Sequence, residues 1–144
     1  MKDSIESFGL TEEQVALQSE ARRFAQQEIA PVAAHFDETA EFPADIIKKA
    51  HTLGLLNIAQ DAALGGTGLS VFDTCLVVEE LAAGCAGFTT SMVANDLALL
   101  PIAIGGSAAQ KDAFIRPITE TGDMVSFCLT EPGAGSDAGG LSTT

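Results

Sequence analysis

At Met124 the chain changes period. Upstream, apolar residues recur every three or four positions, the spacing that lines one face of a helix. From Met124 to Thr130, Val125, Phe127 and Leu129 alternate with Ser126, Cys128 and Thr130, the period-two pattern of a strand. Leu141 to Thr144 reads as the beginning of another strand, yet one or two short strands cannot form a stable sheet alone. The expected fold class is therefore mainly α: a helical bundle domain over residues 1–122, followed by the truncated start of a β domain over 123–144.

Local signals divide the helical part. Thr11-Glu12-Glu13-Gln14 is a capping box, and Leu17, Ala21, Ala25, Ile29, Val32 and Phe36 carry one apolar stripe to about residue 36, with Pro31 expected to kink or divide it. Pro43 can open a second helix that Gly54 closes. Residues 61–70 read as a glycine-rich loop. Ser70 caps a third helix through Val71, Cys75, Val78, Ala82 and Cys85, which Gly84 and Gly87 break. Residues 88–104 are apolar nearly all round and are expected to be buried. Ser107-Ala108-Ala109-Gln110 repeats the capping box and starts a fifth helix ending near Gly122.

Composition narrows the function classes. Twenty acidic against seven basic residues give a net charge of -13, which opposes sequence-blind binding to nucleic acid or to an anionic membrane. Cys75, Cys85 and Cys128 have no C-x-x-C spacing and read as reduced core residues, which implies a reducing compartment. His35 and His51 have no neighbours at metal-ligand spacing, so no metal site is expected. No basic region precedes an apolar stretch at the amino terminus, and no run reaches the length of a membrane span. A soluble cytoplasmic location is expected, or the mitochondrial matrix if a transit peptide has been removed.

The expected strand leads into Glu131-Pro132-Gly133-Ala134-Gly135-Ser136-Asp137-Ala138-Gly139-Gly140, a loop whose glycines let backbone N–H groups approach a ligand closely. Gly133 to Ala138 formally fits a relaxed dinucleotide fingerprint, but the loop follows helices instead of opening one and has no phosphate-gripping lysine. On local pattern, a structural turn and an anion or cofactor cradle both stand.

The whole stretch Phe127 to Gly140 resembles the signature of the acyl-CoA dehydrogenase family. Gly65-Gly66-Thr67-Gly68-Leu69, Glu79-Glu80-Leu81-Ala82, Gly84-Cys85-Ala86-Gly87, Asn95 and Pro101-Ile102 extend the resemblance upstream, in order, to the amino-terminal helical domain of its medium- and short-chain members. It implies FAD as cofactor, with Phe127, Leu129 and Thr130 along the isoalloxazine and Gly135 and Ser136 at the pyrophosphate. Ser136 would also touch the acyl-CoA. Many relatives carry an aromatic hydroxyl where Phe127 stands, so a hydrogen bond made there is lost while packing survives.

The resemblance further places Thr89, Thr90, Val93 and Leu97 on the wall of the acyl cavity; on pattern alone these are core residues, and the threonines can bond their own backbone carbonyls. It implies an electron-transferring flavoprotein as partner, docking at Leu17, Leu55, Leu69 and Val77, for which a buried intradomain cluster is the plainer reading. A homo-oligomer, dimer or tetramer, is also implied. Glu79 and Glu80 point about 100° apart on a helix, so they cannot address one substrate atom together and read as structural. Asp137 reads as a cap for local N–H groups.

The implied reaction removes an α-proton with a glutamate and transfers a β-hydride to flavin, giving a trans-2-enoyl-CoA. In the family that glutamate lies in the carboxy-terminal domain, so no catalytic residue is assigned here and the chain reads as the amino-terminal piece of a longer enzyme. Two alternatives stand beside it: a flavin-dependent oxidase of the same fold, and a non-catalytic helical interaction or assembly module.

Overall fold

The computed structural model describes residues 9–143. Helix α1 (Glu12–Phe24) starts at the expected capping box: Thr11 N–H donates to Gln14 Oε1 at 3.0 Å and Gln14 N–H to Thr11 Oγ1 at 3.2 Å. It runs on into a π-helical turn, Ala25–Ile29, where the Ala30 N–H bonds five residues back to Ala25 O at 2.8 Å. Pro31 follows in a turn, and α2 (Ala33–Thr39) begins after it. Proline has no N–H to continue the ladder, so the expected stripe is divided there.

Helix α3 (Ala44–Thr52) follows Pro43 and ends in the Leu53-Gly54 turn. A loop containing the 3-10 turn Ala62–Leu64 leads to α4 (Val71–Gly84), whose first turn is capped by Ser70 Oγ, accepting from Asp73 N–H at 3.1 Å. The same Asp73 takes a bond from Gln14 Nε2 at 2.8 Å, which joins the starts of α1 and α4. Helices α5 (Ala86–Gly105) and α6 (Ala108–Thr121) complete the body. Gly122 ends α6 at φ 73°, and a Cβ there would come within 2.5 Å of the His51 ring.

Helix α1 packs on α4, α4 on α5, and α5 on α6. The core gathers Ala21, Phe24 and Ile29 with Ile46, Ile47 and Ala50 of α3, Leu55, Leu56 and Ile58 of the following loop, and Val77, Leu81, Phe88 and Met92. At Gly84 a Cβ would meet Ala25 Cβ and O at 3.1 Å, so glycine permits α4 to lie this close to the π-helical turn. Arg22 and Glu80 pair across α1 and α4, Nε to Oε2 at 2.7 Å and Nη2 to Oε1 at 2.5 Å.

Five expectations are corrected. The break between the third and fourth helices falls at Cys85, extended at φ -168° and ψ 120°, while Gly87 is inside α5. Helix α5 is not buried all round: Leu97, Leu100 and Ile104 are 50%, 46% and 76% exposed, because α4 and α6 cover only part of its circumference. At 20 residues it also has the length and apolar character to cross a membrane, which its sequence concealed because Asn95, Asp96 and Pro101 interrupt the run. The cysteines are free, but Cys75 and Cys128 are exposed instead of core residues, while Cys85 is half-buried against the core.

The last correction concerns residues 124–130, which form no strand. Among the described residues nothing pairs with them, and a strand exists only through a ladder partner. Residues 141–143 likewise pair with no strand, and the expected strand's end at Thr144 lies outside the described residues.

Candidate functional site

Helix α5 organises the polar interior. Asn95, fully buried, donates from Nδ2 to Asn57 Oδ1 at 3.1 Å and to the Asp123 carbonyl at 2.9 Å, and accepts the Val125 N–H at 2.9 Å. Next to it, Asp96 accepts from Gln60 Nε2 at 2.9 Å. Burial pushes the Asp96 carboxyl above its ordinary range, and the bonds from Gln60 and from the Ala59 and Ile58 backbone only partly oppose it.

These bonds bring together three distant pieces of chain: the loop after α3, the middle of α5, and the root of the tail. Asn57 sits at φ 57°, and its carbonyl takes N–H groups from Gln60 and Thr67. The loop thus folds around it. Its buried Nδ2 has no acceptor among the described residues.

Beyond this root the tail opens to solvent. Phe127 and Leu129 are 40% and 42% exposed, and Thr130, Gly135 and Ser136 are exposed as well. The glycine-rich loop closes on itself: Glu131 and Ala134 exchange backbone bonds at 3.1 Å, and the Glu131 carboxylate receives the Ser142 and Thr143 N–H groups at 2.9 and 2.8 Å and both hydroxyls. The Thr143 hydroxyl, followed by the two N–H groups, holds the Glu131 carboxyl down to about 2. A Cβ at Gly133 or Gly135 would meet nothing within 4 Å, so this backbone is open to an incoming group.

Asp137 departs from its expected role. It stands before the 3-10 turn Ala138–Gly140, but its side chain makes no capping bond. Its carboxylate lies instead against Gly140, where a Cβ would come within 2.9 Å of Oδ2.

The four residues expected on an acyl wall all lie on α5, but they differ in access. Thr89 is buried, Thr90 and Leu97 are exposed, and Val93 is half-buried. Both threonine hydroxyls bond back into the helix, Thr89 to Cys85 O at 3.0 Å and Thr90 to Ala86 O at 2.8 Å. A hollow of 260 Å³ opens at the start of α5, lined by Phe36, Phe42, Cys85, Phe88 and Ser91 among others, and none of the four lines it.

Of the expected docking residues, Leu55 and Val77 are core, at 3% and 0% exposure, while Leu17 and Leu69 are half-buried against the same core. Glu80 points inward to Arg22 and Glu79 outward to solvent, which gives each a structural position. No group of three metal-ligating side chains lies together among the described residues.

Sequence reasoning assigned no contacts to Asn57, Asn95 or Glu131. The signal for Asn95 was present: an Asn-Asp pair in the middle of an apolar helix has to find partners. For Glu131 no signal could have served, since its partners are defined only by the loop's closure.

The structure is a helical body with an open, glycine-rich tail that hangs from one of its helices and presents an unpacked edge. The family model described as acyl-CoA dehydrogenase, N-terminal domain, matches residues 11–121, and the chain belongs to this family. A probable medium-chain specific acyl-CoA dehydrogenase of Caenorhabditis briggsae, named as mitochondrial, is 40% identical over 137 residues, which cover 95% of this chain and 34% of that protein. Butyryl-CoA dehydrogenase from Megasphaera elsdenii superimposes with a TM-score of 0.83 at 33% identity, over 94% of this chain and 37% of that one. An acyl-CoA dehydrogenase complexed with FAD from Bacillus anthracis gives 0.83 at 28% identity, over 92% and 23%. The chain spans about a third of the length of the curated relatives it matches.

Proposed function

We propose that this chain is the amino-terminal part of an FAD-dependent acyl-CoA dehydrogenase that oxidises a short- or medium-chain acyl-CoA to the trans-2-enoyl-CoA. The observation that carries the reading is the tail: an exposed apolar edge at Phe127 and Leu129 runs into a loop whose Gly133 and Gly135 backbone is open. That edge fits a flavin ring and the loop fits a pyrophosphate, two chemically different parts of one FAD. When bound, FAD supplies the acceptor for the hydride leaving the acyl β-carbon.

This chain's own residues bind and orient. Phe127 and Leu129 offer apolar contact to the ring, the Thr130 hydroxyl offers a hydrogen bond to its polar edge, and Gly135 and Ser136 offer N–H and hydroxyl donors to the phosphates. Ser136 would serve the acyl-CoA as well. Val93 and Leu97, accessible on α5, give apolar contact to the acyl chain. Thr89 is buried and both threonine hydroxyls donate into the helix, so these two shape the wall without donating to the substrate.

Electrons pass on to an electron-transferring flavoprotein. Leu17 and Leu69 form the accessible part of its docking surface, and Leu55 and Val77 the floor beneath them. The full-length protein is a homo-oligomer in a reducing compartment, the bacterial cytoplasm or the mitochondrial matrix.

The test is optical. Purified full-length protein should be yellow and should bleach when butyryl- or octanoyl-CoA is added without oxygen; a colourless, unresponsive protein overturns the reading. Residues 1–144 alone should bind FAD more weakly than micromolar, since they offer one edge of the site, and titration checks this. In the full-length protein, Leu69→Glu should slow turnover with the flavoprotein partner and leave dye-linked turnover intact.

A further inference from the structure

One carboxamide joins the two halves of this site. Asn95 grips two backbone groups of the tail, the carbonyl of Asp123 and the N–H of Val125, each at 2.9 Å. Its orientation is dictated by those partners, because the carbonyl can only accept and the N–H can only donate; a flipped amide would set like against like at both. Asn57 Oδ1 accepts the remaining Nδ2 hydrogen at 3.1 Å and steadies the side chain from the opposite segment. Gripping groups two residues apart fixes both the position and the direction in which the tail leaves the body.

Little else holds it there. Among the described residues, the other hydrogen bond from 123–130 back to the helical body is local, from Asp123 N–H to Thr121 Oγ1 at 3.2 Å, and the apolar anchor is Met124 against the core. On α5, with about 100° per residue, Asn95 points about 160° away from Val93 and Leu97. A single helix therefore carries the apolar wall on one face and the root of the tail on the other.

We propose that Asn95 is a positioning residue: by clamping Asp123 and Val125 it sets where Phe127, Leu129 and Thr130 hold the flavin relative to the acyl chain lying along Val93 and Leu97. The inference rests on the flavin and acyl-CoA reading above. Hydride transfer depends steeply on the alignment of donor and acceptor, and a displacement of about 1 Å from a distant change can cost on the order of 100-fold in rate. Asn95 touches neither the ring nor the substrate; it acts through the tail.

The test uses the flavin-loaded full-length protein in anaerobic stopped flow, with butyryl-CoA or octanoyl-CoA, whichever bleaches the wild type. Asn95→Ala removes the clamp from the helix side. Val125→Pro removes one of its bonds from the tail side without touching the core of α5, and decides the matter alone if Asn95→Ala does not fold. Thr119→Val is the comparator, since it removes a buried hydroxyl from α6 that donates to the Leu64 carbonyl and makes none of the clamp's bonds.

Both clamp variants should retain bound FAD and saturate at acyl-CoA concentrations within about 3-fold of wild type. Their flavin reduction at saturation should be about 10-fold or more slower, with Thr119→Val within about 2-fold at a comparable loss of melting temperature. Amide exchange should show Val125 losing protection in Asn95→Ala while Val77 and Leu81 keep theirs. Reduction within about 2-fold of wild type in the clamp variants, or equal slowing in Thr119→Val, overturns the inference and leaves the enzyme reading standing. A wild-type protein without flavin, or one that neither substrate bleaches, overturns both.

Discussion

The helical body and the tail differ in where their stabilising partners come from. In the body, Phe24, Ile29, Val77 and Leu81 are almost wholly buried among side chains of the same chain. In the tail, Phe127 and Leu129 are exposed, and Ala134 alone among its described residues is buried to the body's degree. Body residues are held by burial of apolar surface; tail residues are held by a few hydrogen bonds, at Asn95 and at Glu131. The difference teaches that the body is built to be stable and the tail to be available.

The largest effect that could break this contrast is a core truncation. Phe24→Ala should cost about 3–5 kcal/mol by denaturant unfolding, because a fully buried ring leaves a cavity, whereas Phe127→Ala should change stability by less than about 0.5 kcal/mol. Equal costs would show the tail to be packed in solution. Next comes the ion pair across α1 and α4. Glu80→Ala should cost about 2 kcal/mol, less than a wholly buried pair, since the Arg22 side chain is 38% exposed and can reach water.

A smaller, pH-dependent effect sharpens the body's side. The Asp96 carboxyl has a folded pKa raised by burial, so its ionised form opposes folding; the opposition is absent at acidic pH and complete above the raised value. Asp96→Asn should therefore raise the melting temperature at about pH 8 and lose that advantage toward about pH 3. A variant equally stabilised at both values would contradict this.

The smallest effect belongs to the tail. Glu131 is depressed from 4.5 to about 2 in the closed loop, so its contribution to closure is complete above about pH 4.5 and is lost as the pH falls toward 2. Protection of the Ser142 and Thr143 amides, taken relative to the intrinsic exchange rate at each pH, should fall across that window while the melting temperature of the body shows no step attributable to the loop. Glu131→Gln should show fast exchange at both residues at neutral pH.

Much of the body was legible because its determinants are local. Thr11, Ser70 and Ser107 cap helices through residues three positions away, and Pro31 divides a helix through its own missing N–H. Composition showed that α5 was apolar, but not which of its sides would be left uncovered. Leu97 and Leu81 are both leucines in helical patterns, and one is 50% exposed while the other is 1%. The positions of Phe127, Leu129 and the glycines were readable as motif, whereas their exposure and lack of strand pairing were not.

By itself, then, the sequence determined where the capped helices begin, and that a glycine-rich loop follows the last of them, since these depend on interactions within one or two turns. Only the tertiary structure decided that Asn95 would meet Asn57 from 38 residues away and Asp123 from 28, and that α5 would be left half uncovered. Those contacts depend on how helices pack. Packing joins residues by shape and burial over separations that no local pattern encodes.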